Sequence, residues 1–404
     1  MRKFNANSIV ALFAIVFILL GLGGTCIKRL GFASLELVSA LGQGDTAAVL
    51  EYRSAVDDIT GKGLSYHKML MDIDSARNNL LGTRVIVKDD STVIKAVSGK
   101  LMEQVERVDD EDIEDAVARI RELQAVAEAH GAGFLYCAAP KKELYEEAPG
   151  NAVNAFKDNY ERFVMALRSA GIPLLDCSLV LEEPPLRPED AFFVTDHHWK
   201  PTVGFDVAGS ICERLASLYG FSYDERLTDL SNYTVTTYPN WFLGSLGKKT
   251  GTYFTWQGAD DFDLITPDFE TAFIEEQPLK GEVLQGPFEK TVLDMSNMEK
   301  DHYGLIPYAT YCGGDFRLQI FTNTLNPDGK KILLVRDSYA SVVAPFLALQ
   351  AGELHICDVR DFEYFYGDKL DIGAYIAQIE PDYVIVLYSG VSGKDTAHGK
   401  YDFF

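Results

Sequence analysis

The sequence has little positive charge. Its 404 residues include 37 lysines and arginines against 60 aspartates and glutamates, which gives a formal net charge of −23. Proteins that bind nucleic acid through its phosphates need clustered cations, so we expect no nucleic-acid partner. The composition, 47% hydrophobic and 24% charged, is typical of a folded globular protein and excludes a disordered chain or a multi-span membrane protein.

Cysteine is scarce and its spacing is uninformative. The six cysteines form no C-x-x-C pair, and zinc clusters and disulfide-rich scaffolds both need closely spaced cysteines. Neither is therefore predicted. Most of the cysteines, such as Cys137 and Cys177, lie in apolar runs, which is typical of buried free thiols.

Charge is absent between residues 4 and 27, and segment 9–24 is almost wholly apolar. The uncharged segment is about as long as the ~20 residues that cross a bilayer as a helix. Arg2 and Lys3 precede the apolar run, so the N-terminus should stay inside and the rest should be exported. No small-residue cleavage motif follows, which favours an uncleaved signal-anchor; a removed signal peptide and lipid attachment at Cys26 stay open. We predict a single-pass protein of the cell membrane with an extracytoplasmic C-terminal domain.

Helical and strand patterns alternate from about residue 110. A helix is predicted over 112–130, and short continuous apolar runs predict strands at 133–139, 331–335, 353–357 and 383–387. Strands of this kind are usually covered by helices on both faces. The pattern therefore predicts an α/β fold with a mostly parallel sheet.

The predicted organisation has five segments. Residues 221–328 are rich in Tyr, Trp, Gly and Asn with little helical periodicity, which indicates a loop- and β-rich insertion between the two halves of the sheet. The full division is a signal-anchor at 1–29, a stalk at 30–105, the first half of the α/β domain at 106–220, the insertion at 221–328 and the second half at 329–404.

The first chemical signal is Asp196-His197-His198-Trp199, which lies directly before a helix that Pro201 can begin. Residues two apart share one side of an extended segment, so Asp196 and His198 can point into the same cleft. A carboxylate beside an imidazole orients a general base for a hydroxyl group.

The second signal is Ser338, which follows the buried-type strand at 331–336. Open α/β sheets bind their ligands at the carboxyl ends of such strands, and amides of the next turn could hold an oxyanion. A serine hydroxyl is a weak nucleophile until a base activates it. The two signals together predict a catalytic group of Ser338, His198 and Asp196.

A metal site of Asp196, His197 and His198 is the alternative. Adjacent histidines on an extended segment point to opposite faces, and no further ligand has a typical spacing. We therefore expect no metal and no other cofactor. A set of aromatic residues could stack on sugar rings or pack in the core: Tyr238, Trp241, Tyr253, Phe254 and Trp256.

These residues resemble a known family. The Asp-His-His-Trp motif, followed far downstream by a strand that ends in Asp337-Ser338-Tyr339, is similar to the DHHW-motif proteins of bacteria, relatives of the SGNH/GDSL-hydrolase-like proteins that O-acetylate alginate and other surface polysaccharides. The resemblance runs over roughly 80–395 and includes segments 242–251, 311–315 and 358–360. Arg336 departs from the hydrolase pattern, which has Gly before Asp-Ser.

The resemblance implies an SGNH-hydrolase-like fold and an O-acetyltransferase of cell-surface polysaccharide. Ser338 would be acylated, His198 would act as base and Asp196 would orient it, while a multi-span membrane O-acyltransferase would supply the acyl group. The same three residues also suit a carbohydrate esterase. A non-catalytic glycan-binding or scaffolding ectodomain is a further alternative.

Other residues could assist substrate binding. Arg360 and Tyr388 lie at later strand ends, and the Gly313-Gly314 amides could join the oxyanion site or form only a tight turn. His197 and Trp199 flank the base within the motif and complete this set.

Overall fold

The structure, a computed structural model, describes residues 67–88, 91–184, 186–362, 365–391 and 399–404. The chain divides into two units, residues 1–78 and 79–404. The first unit is described only from His67, at the start of helix α1 (His67–Leu80). The expected signal-anchor falls outside the described residues. Among the helices that are described, none has the length and apolar character needed to span a membrane.

The second unit alternates helices and strands along the chain. Its helices are α2 (Asp110–Ala129), α3 (Phe156–Ser169), α4 (Cys177–Glu182), α5 (Pro201–Tyr219), α6 (Ser245–Thr250), α7 (Phe288–Thr291), α8 (Ala344–Gln350) and α9 (Ile372–Ile379). Its strands are β1 (Val85–Lys88), β2 (Ser91–Lys95), β3 (Leu101–Glu103), β4 (Gly133–Ala139), β5 (Leu174–Asp176), β6 (Tyr233–Phe242), β7 (Asp260–Pro267), β8 (Phe273–Gln277), β9 (Glu282–Gly286), β10 (Leu318–Asn323), β11 (Lys331–Arg336), β12 (Glu353–Cys357) and β13 (Tyr383–Ser389).

Eight strands form the central sheet, in the order β5-β4-β13-β11-β12-β10-β8-β9. The first five are parallel to one another, while β10, β8 and β9 join by antiparallel pairing. The α/β fold is therefore as predicted, but the sheet is mixed rather than mostly parallel. The carboxyl ends of β4, β11, β12 and β13 meet at one edge, where the site lies.

Both faces of the parallel strands are buried, as their continuous apolar runs predicted. Alternate residues of β11 enter different cores: Ile332 and Leu334 pack with α5 and α8, whereas Leu333 and Val335 pack with α2, α3 and α9. All four are fully buried. Each such side chain contributes about 1.5–3 kcal/mol to folding when it is buried.

The segment predicted as an insertion, 221–328, is largely part of the main sheet. It supplies β8, β9 and β10, and only the β6–β7 pair forms a separate two-stranded sheet. The sequence did not reveal these strands because they lack the continuous apolar run of β11: β8 contains two adjacent glutamates, and β9, at the edge of the sheet, is mostly exposed.

The end of the predicted stalk also belongs to this unit. Strands β1, β2 and β3 form an antiparallel sheet, and Val93 and Leu101 pack with Leu246 and Phe254 without exposure. The backbone amide of Leu101 donates to the carbonyl of Val194, 2.9 Å away. Residues 85–103 therefore support the loop that carries Asp196.

Helix α5 packs closely on the turn that carries Ser338. A Cβ at Gly204 would lie 2.5 Å from the Val342 carbonyl oxygen and 2.4 Å from its Cγ2 atom, so only glycine fits there. The same helix contains Gly209, where a Cβ would lie at ordinary contact distance, 3.5 Å from Thr228.

We predict that Gly204→Ala lowers the free energy of unfolding by about 1–3 kcal/mol, because the added methyl group forces α5 away from Val342. The matched control, Gly209→Ala in the same helix, should be neutral or stabilising by about 0.5–1 kcal/mol. Denaturant unfolding of the full chain measures both. Equal effects of the two substitutions would contradict the close packing at Gly204.

Candidate active site

The loop at 191–200 is a narrow hairpin between α4 and α5. Phe192 and Trp199 form an antiparallel bridge at its base. At its tip the Asp260 carboxylate accepts hydrogen bonds from the backbone amides of Val194 and Thr195, each 2.7 Å long. A buried side chain therefore takes the place of a neighbouring strand and fixes the backbone just before Asp196.

A turn closed by its own side chain brings Asp196 and His198 together. Oδ1 of Asp196 accepts from the backbone amide of His198 at 3.0 Å and from its ring Nδ1 at 2.6 Å. The predicted contact forms, but through an Asx turn and not through the alternation of an extended strand. An Asp followed two residues later by His favours this local arrangement.

Ser338 completes the group from 140 positions further along the chain. Its Oγ lies 2.7 Å from Nε2 of His198. Asp196 and His198 are buried, 3% and 8% exposed, whereas Ser338 is half-buried. The structure thus brings the three residues into one line of hydrogen bonds whose serine end is open to a ligand.

Aromatic residues brace the two segments of the site against each other. Trp199 is fully buried, and its indole N–H donates to the carbonyl of Tyr339 at 2.9 Å. The Tyr339 hydroxyl donates to the carbonyl of His197 at 2.5 Å. The ring of Tyr308 stacks on His198 with 4.1 Å between centroids. The predicted substrate contact of Trp199 is therefore replaced by a positioning contact, because the indole has no exposed surface.

Ser245 and Gly244 are site residues that the sequence reasoning missed. The Ser245 amide donates to Oδ2 of Asp196 at 2.6 Å. At Gly244 a Cβ would lie 2.2 Å from the Cβ of Asp196, so the backbone can approach the carboxylate only because this residue is glycine. The signal was present in the Gly-Ser-Leu-Gly run at 244–247, which contributed to the family resemblance without a role.

His197 is a neutral neighbour of the base. Its Nδ1 lies 2.9 Å from the Ser245 hydroxyl. Burial and the adjacent His198 lower its pKa to about 4, although Asp196 acts in the opposite direction. Burial by itself would raise the pKa of Asp196, but the two histidines and the bonds from His198 and Ser245 hold that pKa well below its usual range. Asp196 is therefore ionised while His197 is neutral at neutral pH.

The expectation that the two histidines point apart is wrong, because this loop is a turn and not a strand. Their ring centroids are 3.8 Å apart, and Asp196, His197 and His198 offer ligand atoms within 4.8 Å of one another. The Nδ1 atoms of both rings already have hydrogen-bond partners, as does Nε2 of His198. A metal ion would have to displace the bond to Ser338 or to Asp196.

Asp337 shapes the turn that carries Ser338. Its Oδ1 accepts from the Tyr339 amide at 3.0 Å, and Oδ2 accepts from the Ser389 amide and hydroxyl, both at 2.8 Å. Lys400 lies 3.0 Å from the same Oδ2. The Ser338 amide itself has no acceptor among the residues described, so it is the best candidate to donate to an oxyanion.

The Gly313-Gly314 pair lies in a tight turn that precedes β10. Both glycines have positive φ angles, +69° and +116°. The Gly314 carbonyl accepts from NH2 of Arg336 at 2.7 Å, and NH1 of Arg336 contacts Asp315 and donates to the Ser341 hydroxyl at 3.1 Å. Arg336, the departure from the hydrolase pattern, therefore ties this turn to the residues that follow Ser338.

Arg360 and Tyr388 lie in different surroundings. Arg360 is paired with two carboxylates, Asp358 and Asp315. Tyr388 is a correction: its side chain has no exposed surface and lies between Tyr401 and Phe403 in the core, because it faces the helices and not the edge of the sheet. It cannot contact a substrate in this arrangement.

The predicted aromatic platform is not a single surface. Phe254 is fully buried, whereas Tyr253 and Trp256 are 55% and 81% exposed. Tyr238 and Trp241 contact each other with their centroids 5.3 Å apart and pack against the main core.

Lys142 is a further site residue that the sequence reasoning missed. It follows the carboxyl end of β4 and is fully buried. Its Nζ donates to the carbonyls of Phe193, Val194 and Asp196 at 3.1, 3.2 and 2.5 Å. Burial lowers its pKa, and the nearby carboxylates of Glu143, Asp196 and Asp260 oppose that shift. The position at a strand end of the active edge was the available signal.

We predict that Lys142→Met lowers the free energy of unfolding by about 3 kcal/mol and reduces activity, because three loop carbonyls lose a buried charged donor. Lys157→Met, at an exposed position, is the control. Thermal and denaturant unfolding of the full chain report the difference. A Lys142→Met protein as stable as the control would exclude this role.

The buried Asp337 carboxylate should make the stability of the fold depend on pH. Burial would raise its pKa, but Lys400, Arg360 and the Ser389 hydroxyl hold it well below the usual range. A depressed folded pKa stabilises the protein above the unfolded value of about 3.9, and that contribution is lost as pH falls.

We therefore expect Asp337→Asn to lower the free energy of unfolding by about 2 kcal/mol at pH 7. At pH 3 the difference in free energy of unfolding between the variant and the unsubstituted protein should be smaller by about 1 kcal/mol. Asp361→Asn, at an 86% exposed position, should change stability little at either pH. Denaturant unfolding at the two pH values makes the comparison. A gap independent of pH would show that the Asp337 carboxylate is not stabilised in the folded state.

Comparisons with known proteins bear on the fold. Residues 100–226 match a family model described as the SGNH hydrolase-like domain of the acetyltransferase AlgX. No curated protein matches the sequence.

Solved structures share the fold over most of the chain. A DHHW family protein from Eubacterium siraeum is 16% identical, with a TM-score of 0.56 over 78% of this chain and 94% of its own. PatB1 from Bacillus cereus, solved with a sulfonyl adduct, is 18% identical, with a TM-score of 0.59 over 76% of this chain and 97% of its own. The resemblance predicted from the sequence is therefore confirmed: the chain has the SGNH hydrolase-like fold and is similar to the DHHW and AlgX-type proteins.

Proposed function

We propose that the chain is an O-acyltransferase that transfers an acyl group, most simply acetyl, to a hydroxyl group of a cell-surface polysaccharide. The observation that supports this most directly is the unbroken line from Ser338 Oγ to His198 Nε2, 2.7 Å, and from His198 Nδ1 to Asp196 Oδ1, 2.6 Å. The match to an acetyltransferase family model supports the type of reaction.

The first half-reaction acylates Ser338. His198 Nε2 takes the hydroxyl proton as Oγ attacks the carbonyl carbon of the acyl donor, and Asp196 stabilises the imidazolium that forms. The Ser338 amide is placed to donate to the developing oxyanion. Collapse of the tetrahedral intermediate breaks the bond to the donor's leaving group, which takes the proton from His198.

The second half-reaction transfers the acyl group. A sugar hydroxyl enters beside His198, loses its proton to Nε2 and attacks the ester carbon of acylated Ser338. Collapse returns the proton from His198 to Ser338 Oγ and releases the acylated sugar. The half-buried position of Ser338 leaves one side of the ester open to an acceptor.

The charges and rings around His198 favour its role as the base. Asp196 is ionised because the adjacent histidines and the hydrogen bonds from His198 and Ser245 hold its pKa down against the effect of burial. His197 is neutral above pH of about 4 and so adds no repulsive charge beside the imidazolium of His198. The Tyr308 ring covers one face of His198 and limits how the imidazole can rotate.

The cellular setting is part of the proposal. An N-terminal signal-anchor would hold the catalytic domain outside the cytoplasmic membrane, where acetyl-CoA is absent. A multi-span membrane O-acyltransferase would then export the acyl group and deliver it to Ser338. The polysaccharide of the cell envelope would be the acceptor.

We predict that Ser338→Ala abolishes covalent labelling by a serine-directed sulfonyl or fluorophosphonate reagent, because the attacking oxygen is removed. Transfer from a chromogenic acetyl ester to an oligosaccharide should fall by a factor of roughly 10³ or more in Ser338→Ala and His198→Ala, and by roughly 10²–10⁴ in Asp196→Asn. Ser210→Ala is the control, because Ser210 is half-buried in α5 and its hydroxyl donates to the Asp206 carbonyl of the same helix. Mass spectrometry locates the label and the product.

The same assay separates transfer from hydrolysis. Acetylated oligosaccharide that depends on Ser338 supports the transferase. Acetate release with no acetylated sugar would instead identify the protein as a carbohydrate esterase. Labelling that persists in Ser338→Ala would overturn the assignment of Ser338 as the nucleophile.

A further inference from the structure

The segment at 399–404 reaches the turn that carries Ser338 through one buried side chain. Lys400 is 1% exposed. Its Nζ donates to the carbonyl of Ser389 at 2.6 Å and to the hydroxyl of the same residue at 3.3 Å, and it lies 3.0 Å from Oδ2 of Asp337. A single lysine therefore connects the end of β13 to the residue directly before the nucleophile.

Packing fixes the segment from which Lys400 extends. Phe403 is fully buried, and its carbonyl accepts from the amide of Ile372, the first residue of α9, at 2.8 Å. The Tyr401 and Phe403 rings contact the Tyr388 ring, with centroids 5.7 and 6.3 Å away. Nζ of Lys400 lies 5.0 Å from the centre of the same Tyr388 ring. The ammonium group is therefore held in place by a packed backbone and an aromatic face.

The Asp337 carboxylate is only 2% exposed, and Lys400 supplies a cation in direct contact with it. The charge of Arg360 also acts on Asp337, but the Arg360 guanidinium is bonded to Asp358 and contacts Asp315. Removing one partner of a buried ion pair leaves an uncompensated charge in the interior. Without Lys400, a buried negative charge would therefore lie beside the Ser338 turn.

That charge matters because of the peptide group between Asp337 and Ser338. Its N–H is the Ser338 amide, the candidate oxyanion donor, and its carbonyl accepts from NH1 of Arg336 at 3.4 Å. The Oδ1 atom of Asp337 closes the turn by accepting from the Tyr339 amide at 3.0 Å. A carboxylate that shifts, or that carries an uncompensated charge, would disturb this amide and repel the oxyanion.

We propose that Lys400 is a positioning residue for the acyl transfer. Acting through Asp337, it keeps the Ser338 amide directed at the oxyanion and cancels the negative charge beside it. The inference rests on the proposed function, since the oxyanion forms only if Ser338 is the nucleophile. Because Lys400 acts through Asp337 and not on a ligand, its removal should slow the reaction without weakening the binding of a reagent.

The test is the labelling of Ser338 by a fluorophosphonate reagent, measured on the full chain as a function of reagent concentration. In Lys400→Met the maximum labelling rate should fall about tenfold, because the oxyanion of the transition state is less stabilised. The concentration that gives half the maximum rate should change less than about twofold, and labelling should still go to completion. A lysine needed only for folding would instead lower the fraction of chains that can be labelled and leave the rate of the remainder unchanged.

The matched control is Lys369→Met, which removes the contact of another lysine with Asp402 in the same segment. It should leave the maximum rate unchanged. The double variant Lys400→Met/Asp337→Asn should be no slower than Lys400→Met, because the effect of Lys400 passes through the Asp337 carboxylate. An unchanged maximum rate in Lys400→Met, or effects of the two single substitutions that multiply in the double variant, would overturn the proposal.

A milder variant covers the case in which Lys400→Met does not fold. Ser389→Ala keeps both charges but removes the hydroxyl that donates to Asp337 and contacts Lys400. Its maximum labelling rate should fall about two- to threefold, with the half-saturating concentration unchanged. A rate equal to that of the unsubstituted protein would then decide against the proposal.

The proposed function is judged by the unsubstituted protein. Absence of labelling there would refute Ser338 as the nucleophile and with it the acyltransferase. Full labelling that proceeds at the same rate in the unsubstituted protein and in Lys400→Met would refute only the role of Lys400.

Discussion

The site depends on one local interaction, the turn in which Asp196 closes on the backbone and ring of His198. This turn orients the imidazole by a local contact, because both partners lie within three residues. Every other part of the site holds that turn in place: Asp260 and Lys142 fix the backbone before it, and Ser245 binds the free carboxylate oxygen. The rest of the fold has only to place Ser338 beside Nε2 of His198.

That delivery is achieved by packing and not by further hydrogen bonds to the imidazole. Helix α5 starts directly after the motif and lies against the Ser338 turn at Gly204, where a larger residue would force the two apart. The indole N–H of Trp199 then bonds the motif to the Tyr339 carbonyl in the Ser338 turn. The distance between the base and the nucleophile is consequently set by a glycine contact and a buried indole.

The sequence was informative where chemistry or periodicity is local. The helix at Pro201–Tyr219 and the buried strands β11, β12 and β13 follow from continuous apolar runs, and the Asp-His-His-Trp and Asp-Ser motifs identify the residues that meet. The antiparallel strands β8 and β9 were missed because their exposed faces remove the apolar signal. Lys142 and Ser245 were missed because a lysine in the interior and a serine bonded through its amide leave no pattern in the sequence. The inward position of Tyr388 was missed because adjacent residues of a strand face opposite sides of the sheet. The sequence alone does not show which of the two sides a given residue faces.

The strand order has a consequence for how the domain comes into being. β13 lies between β4 and β11, so these two strands do not pair with each other and are joined only through this late strand. Pairing across some 250 positions of chain is slow, since the entropy of closing so long a loop must be overcome first. We therefore expect Ser338 to become reactive only after β13 has joined the sheet, because Asp337 in the Ser338 turn bonds to Ser389 at the end of that strand.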